Sequence, residues 1–176
     1  MNKLEQWETT WGMQFHPNKC EHICITRKRK PLTTSYTLRG HTLKKAPHSK
    51  YLGVNLSSNL TWNNHINKTI TKANQSLGLI KRNLKSAPEK LRETAYKSLV
   101  RPQLEYCGSI WDPYTSDNIH SLEMVQRRAA RFVLKRYHNT SSVSDMISQL
   151  GWETLQIRRA KTRLILMYKA TKCYCC

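Results

Sequence analysis

The chain changes its hydrophobic period part-way along. In KYLGVNLSSNLTWNNHI, residues 50–66, Leu52, Val54 and Leu56 recur at every second position, the spacing of one face of a strand. From Trp62 the spacing becomes helical: Trp62, Ile66, Ile70, Ala73, Leu77, Ile80 and Leu84 share one face. Upstream the pattern is shorter and mixed. Residues 2–12 predict a helix with Leu4, Trp7 and Trp11 on one side, closed by Gly12. Pro17-Asn18 marks a turn. Cys20 to Arg27 predicts a strand, with Ile23 and Ile25 on one face and His22 and Cys24 on the other. A basic loop, RKRKP, follows at 27–31. A hairpin over 35–45 turns at Arg39-Gly40, with Tyr36 and Leu38 before the turn and Leu43 after it. The last strand spans Tyr51 to Leu56.

Downstream the pattern is helical throughout. Thr61 or Asn59 caps the first long helix, which ends near Ser86. Ser86-Ala87-Pro88-Glu89 predicts a capping box that opens a second helix. That helix carries Leu91, Ala95, Leu99, Leu104 and Cys107 and kinks at Pro102. Asp112-Pro113 stops it. A third helix runs from Ser116 to Tyr137 through Ile119, Leu122, Val125, Ala129 and Phe132-Val133. Ser142 to Asp145 opens a short helix that Gly151 closes, and the last helix runs from Trp152 to Lys172. The expected fold class is α+β: a small antiparallel hairpin-and-strand region over 1–60, then an all-α helical bundle over 61–176.

Charge turns the pattern toward function. The 176 residues hold 30 Lys and Arg against 11 Asp and Glu, a net charge of +19. An excess of one sign points to a polyanion, nucleic acid first and an acidic membrane surface second; a solubilising surface fits mixed charge better. The N-terminus, MNKLEQWETT, has no apolar core for a signal peptide, and the apolar run Leu164–Met167 is too short for a span. The expected location is intracellular, nuclear or cytoplasmic and not secreted, with no membrane partner and with the six cysteines as free thiols. The basic residues have a geometry. Arg127, Arg131 and Lys135 recur every fourth position, with Arg128 and Arg136 beside them, a cationic rail opposite an apolar stripe. Arg158, Arg159, Lys161 and Arg163 crowd the last helix, and Lys81, Arg82 and Lys85 end the first, where cations also favour the helix dipole.

Acidic and metal-ligating residues offer little chemistry. The three aspartates are Asp112, Asp117 and Asp145, and the first two flank a proline where a turn joins two helices, so capping explains them. Cys20, His22 and Cys24 alternate along the expected strand rather than converging as in a zinc turn. Cys173, Cys175 and Cys176 lack a following histidine. No metal site and no nucleophile triad is expected.

Seven segments recur in an order that carries a resemblance: WGMQFHPNKC (11–20), YTLRGHTL (36–43), KYLGV (50–54), LTWNNHI (60–66), LVRPQLEYCGSIWDP (99–113), EMVQRRAARF (123–132) and LGWETLQIRR (150–159). Together they resemble the C-terminal part of reverse transcriptases, RNA-directed DNA polymerases, of jockey-like non-long-terminal-repeat retrotransposons. The resemblance implies that residues 1–60 are the end of a palm and that 61–176 are a thumb. Lys50, Tyr51, Leu52 and Gly53 then look like a primer-grip segment; by the residues alone Gly53 is either a point of close backbone approach or a simple bulge. Lys19 matches a lysine proposed in related polymerases to assist the leaving group, although His16 stands where the family has asparagine. As a plain structural feature, Lys19 is a surface turn lysine.

The same resemblance implies a function for the basic face. Lys81, Arg82, Lys85, Arg127, Arg128, Arg131, Lys135, Arg136, Arg158 and Arg159 would hold an RNA–DNA hybrid or duplex by its backbone, independently of sequence. The family's paired aspartate motifs are absent, so the chain is expected to be a truncated polymerase, not catalytic alone, with divalent metal ions needed only in the complete enzyme and none in this fragment. Its other partners would be the palm and fingers. The alternatives are a protein–protein interaction module and a non-functional relic of a mobile element.

Overall fold

Short strands occupy the first third of the chain and helices the rest, giving the computed structural model an α+β fold. It describes residues 2–26, 28–30, 34–138 and 141–173, so part of the basic loop at 27–31 and both Cys175 and Cys176 lie outside the described residues. The chain divides into two units, Met1–Asn64 and His65–Cys176.

In the first unit, helix α1 (Asn2–Trp11) ends at Gly12, whose φ of 62° only glycine adopts without strain. Its expected apolar side is not its buried side. Leu4, Trp7 and Trp11 are exposed, and Glu8 is buried instead. Glu8 accepts from the Arg39 Nε at 2.9 Å and from the Phe15 N–H, and Glu5 accepts the Arg39 N–H at 2.9 Å. An ion pair therefore ties α1 to a hairpin turn that no local pattern connects to it. That hairpin joins β2 (Thr37–Leu38) to β3 (His41–Thr42) after β1 (Glu21–His22); β1 pairs in parallel with β4 (Lys44–Lys45). The turn falls at Arg39-Gly40 as expected, with φ of 50° and 75°.

Two strand expectations are corrected. Cys20 to Arg27 is not one strand: β1 stops at His22, and Pro47, lacking an N–H, cannot extend the ladder beyond β4. Single bonds continue the contact, from the Ala46 N–H to the His22 carbonyl at 2.9 Å and from the Thr26 N–H to the Ser58 carbonyl at 3.2 Å. Nor is Tyr51 to Leu56 one strand. β5 (His48–Tyr51) and β6 (Val54–Ser57) form an antiparallel hairpin in which Tyr51 faces Val54. Leu52 and Gly53 are the two turn residues, with φ of 45° and 85°, so Gly53 is a turn glycine and not a bulge. Leu52 leaves the strand face and stands 72% exposed, whereas Val54 is buried. A left-handed leucine costs about 1–2 kcal/mol of backbone strain.

In the second unit, α2 (Asn63–Asn83) buries Ile66, Ala73, Leu77 and Ile80 from the expected face, while Trp62, Ile70 and Leu84 are half-buried. The Asn59 side chain accepts the Thr61 N–H at 3.1 Å just before it. The next helix departs from expectation at both ends. It begins at Glu89, not Ser86: α3 (Glu89–Ala95) has Pro88 before its first residue and no side-chain cap, and Glu89 faces the positive helix end. Ahead of Pro102 the backbone opens into a π-helical turn over Tyr96–Val100, where the Arg101 N–H reaches back five residues to the Tyr96 carbonyl, before α4 (Arg101–Glu105). The extra residue rotates the buried face. Leu91 and Leu99 are exposed, and Arg92, Ala95, Tyr96, Val100 and Leu104 are buried. Left-handed Cys107 (φ 53°) then precedes a single helical turn, α5 (Gly108–Trp111).

Helix α6 (Ser116–Leu134) packs against α3, α7 (Val143–Gln149) and α8 (Leu155–Cys173). It buries Leu122, Val125, Ala129, Ala130, Phe132 and Val133. It ends three residues before the expected Tyr137, because Lys135 turns left-handed at φ 52°. The cap of α7 forms as expected: the Ser142 Oγ accepts the Asp145 N–H at 3.3 Å. A buried polar chain fixes α6. The Tyr96 hydroxyl donates to Gln126 Oε1 at 3.0 Å, and Gln126 Nε2 donates to the Glu153 carbonyl at 2.9 Å. Burial pushes the Tyr96 hydroxyl well above its ordinary pKa, so it stays a donor. From Lys161 to Lys172 α8 is exposed.

Buried His65 at the start of α2 meets Trp111 edge-on, with ring centroids 5.1 Å apart. Burial first and Lys68 second hold its pKa below the ordinary 6.5. The folded state therefore prefers neutral His65, and the unfolded chain gains a proton below about pH 6.5. The stability that this group contributes is present above that value and is lost as the pH falls through it. The melting temperature of the chain is expected to drop from about pH 7 to 5, and His65→Phe to drop less. Parallel pH profiles for the two proteins would refute the assignment.

Candidate nucleic-acid interface

The structure sorts the basic residues into two sets. On the first half of α8 the charges are paired within the fold. The Arg158 guanidinium meets both oxygens of Glu105, Lys161 pairs with Glu153, and Arg163 pairs with Asp112. Arg159 is 1% exposed and its Nε donates to Asp112 Oδ1 at 2.7 Å. Two of the expected contact residues, Arg158 and Arg159, thus have their charge neutralised inside the bundle, and Asp112, expected only to end a helix, neutralises two arginines.

On α6 the charges are open. Arg131, Lys135 and Arg136 are exposed and Arg127 is half-exposed, and none of the four forms an ion pair among the described residues. The rail is shorter than its spacing implied. Arg127 and Arg131 stand one helical turn apart, but Lys135 lies on the left-handed turn, which carries it and Arg136 off the helical line. Arg128 leans toward α2, where its Nη1 donates to Asn74 Oδ1 at 3.3 Å.

That turn brings Lys135 to the end of α2. Lys81, Lys85, Ser86, Arg92, Phe132, Lys135 and Tyr137 line one cleft of about 530 Å³. Three of the expected contact residues, Lys81, Lys85 and Lys135, are gathered there; exposed Arg82 ends α2 beside them. Burial first and the Arg128 charge second lower the Lys81 pKa. Arg92 is the residue that the sequence reading missed. Its signal was an arginine three and four residues before Ala95 and Tyr96, hence on their face.

In the other unit, Lys50, Tyr51, Leu52 and Gly53 are contiguous and exposed at the tip of the β5–β6 hairpin. Lys19 closes the 3₁₀ turn Pro17–Lys19 and is exposed. The aspartates do not fit a divalent metal site. Asp112 is held by two arginines, Asp117 and Asp145 sit in the first turns of α6 and α7, and the described residues contain no group of three or more His, Cys, Asp or Glu able to hold an ion. No described helix is long and apolar enough to cross a membrane.

No protein-family model matches the chain, and no solved structure does. Curated proteins match. The chain is 27% identical over 137 residues, 76% of its length, to a probable RNA-directed DNA polymerase from transposon BS of Drosophila melanogaster. It is 25% identical over 136 residues to a probable RNA-directed DNA polymerase from transposon X-element of the same fly, and 25% identical over 138 residues to the RNA-directed DNA polymerase from mobile element jockey of Drosophila funebris. The match spans 14% to 15% of the length of those relatives. The resemblance carried by the seven ordered segments is therefore one of homology: over about three quarters of its length the chain is related to the RNA-directed DNA polymerases of jockey-type non-long-terminal-repeat mobile elements.

Proposed function

We propose that the helical unit, 65–176, is a thumb-like element that holds a primer–template duplex through its phosphate backbone, and that residues 1–64 contribute a primer-grip-like hairpin tip at Lys50 to Gly53. One observation carries the reading: Arg127, Arg131, Lys135 and Arg136 form no ion pair among the described residues, whereas Arg158, Arg159 and Arg163 of the same unit are each paired with a carboxylate. A cation left unpaired on a surface gains most from a polyanion, by releasing its counterions. Contacts of this kind position a duplex without reading its sequence. An RNA–DNA hybrid is expected to bind at least as well as duplex DNA, because shape and backbone are what such a face reads. Polymerisation itself belongs to longer relatives, and divalent metal chemistry is assigned to none of the residues described here.

A salt titration tests the proposal. On duplex DNA the affinity falls with a log–log slope of about −0.9 per phosphate contact. Arg127→Ala/Arg131→Ala/Lys135→Ala is expected to keep its helical circular dichroism and to flatten the slope by about two to three units. Equal slopes for two folded proteins would reduce the rail to a solvated face. The second reading, a protein-interaction module, draws on the exposed run Leu164, Ile165, Leu166, Met167 and Tyr168 of α8. It predicts weak nucleic-acid binding that the triple variant does not change.

A further inference from the structure

Arg92 is out of place by every rule of burial. It is 4% exposed, and its Nε and Nη1 are buried without a hydrogen-bond partner among the described residues. Arginine cannot shed its proton to escape burial. A buried charge without a counter-charge is strongly unfavourable, and proteins pair such groups or leave them out. Here the nearby carboxylates are directed elsewhere: Glu93 takes the Lys97 ammonium and the Trp152 Nε1, and Glu89 is exposed on the first turn of α3. A stabilising neighbour is the Phe132 ring, whose centroid lies 5.8 Å from the guanidinium carbon.

The surroundings add charge of the same sign. Lys81, Lys85 and Lys135 line the cleft with Arg92, so four cationic side chains share one concavity, and Ser86 and Tyr137, which each carry a hydroxyl, line it too. The rim is itself strained. Lys135 holds a left-handed φ of 52°, where a glycine would be relaxed, at about 1–2 kcal/mol. Three lysines and one buried arginine with two unpartnered nitrogens make sense together when an anion completes them. Arginine forks match phosphate oxygens, and the ammonium groups supply point charge around them.

We propose that this cleft, between the end of α2, α3 and the left-handed turn after α6, is a phosphate pocket: it takes one phosphoryl group, with Arg92 at its floor and Lys85 and Lys135 at its rim. The proposal deepens the nucleic-acid reading and rests on it for the source of the phosphate, which is either a strand's terminal monoester or a backbone diester.

The test uses the 176-residue chain with inorganic phosphate, at an ionic strength held constant with chloride. Phosphate is expected to raise the melting temperature of the wild type. Arg92→Met is expected to abolish that shift while melting no lower than the wild type without phosphate, because it removes an uncompensated buried charge. Equal phosphate shifts in both proteins would overturn the pocket. If Arg92→Met does not fold, Lys85→Ala/Lys135→Ala, altered at exposed positions only, decides: about tenfold weaker phosphate binding supports the pocket, and unchanged binding overturns it. Duplexes carrying a 5′-phosphate or a 5′-hydroxyl then identify the source. A preference of about tenfold for the phosphate that Arg92→Met erases assigns the terminal monoester. Equal binding that Arg92→Met weakens for both assigns the backbone, and no effect of Arg92→Met on either overturns the proposal. Arg127→Ala/Arg131→Ala leaves the pocket whole. Loss of duplex binding in the wild type with the phosphate response intact would therefore refute the duplex reading alone, and loss of the phosphate response with rail-dependent duplex binding intact would refute the pocket alone.

Discussion

Leu77→Asp is expected to unfold the helical unit, and Lys72→Asp to leave it folded. Leu77 lies on the inner face of α2 at 2% exposure, between Ala73 and Ile80, whereas Lys72 is exposed on the outer face. Losing a fully buried leucine removes about 1.5–3 kcal/mol of burial. Placing a carboxylate in the same space without a partner adds several more, until the group protonates or the helix leaves. The sum rivals the roughly 5–15 kcal/mol that holds an ordinary domain together. Ile70 has the same heptad logic but is only half-buried, so Ile70→Asp is expected to fall between the two. Thermal melts followed at helical wavelengths check the order, and coincident melts for Leu77→Asp and Lys72→Asp would displace α2 from the core.

Asp112→Ala is expected to destabilise the chain by about 3–5 kcal/mol, more than almost any surface change. Asp112 Oδ1 accepts the Arg159 Nε at 2.7 Å, and Oδ2 pairs with Arg163. The Arg159 Nη1 and Nη2 have no other partner among the described residues, so the variant would leave a buried guanidinium without a counter-charge. The pocket around it is close-fitting: a Cβ at Gly108 would stand 3.2 Å from the Arg159 Cγ. Because the damage is the orphaned charge and not a lost attraction, Asp112→Ala/Arg159→Met is expected to recover most of the stability. Urea unfolding of the two variants measures this, and a double variant no better than the single one would show that the aspartate acts through something other than Arg159.

The two arginine environments have opposite consequences. At Arg159 the fold supplies the counter-charge, and removing it destabilises. At Arg92 the fold supplies none among the described residues, and removing the arginine is expected to be harmless to stability and harmful to binding. Nothing in the local sequence separates them, since both are arginines on the inward side of a helix.

What the sequence by itself determined was whatever depends on near neighbours. The period of Ile66 to Ile80 made α2, because side chains three and four apart share a face wherever the helix sits. Gly12, Gly151 and the Arg39-Gly40 turn, and the Ser142 cap, follow from backbone sterics and a hydrogen bond spanning a few residues. The homology was legible for the same reason, as an ordered run of local segments. The tertiary structure decided the rest. KYLGV has the alternation of a strand, but a strand and a two-residue hairpin turn differ only in what pairs across from them, and Tyr51 pairs with Val54. Arg92 lies inside by its helical spacing to Ala95 and Tyr96, leaving Leu91 outside, and the π turn before Pro102 carries the buried face on to Val100 and Leu104 and leaves Leu99 outside. Which cations remain open was settled by carboxylates distant in the chain: Glu105 and Asp112 lie 53 and 47 residues from the arginines they neutralise. A charge pattern records where cations are, and only packing determines whether a counter-charge folds in beside them, because Coulomb attraction depends on distance in space and not along the chain.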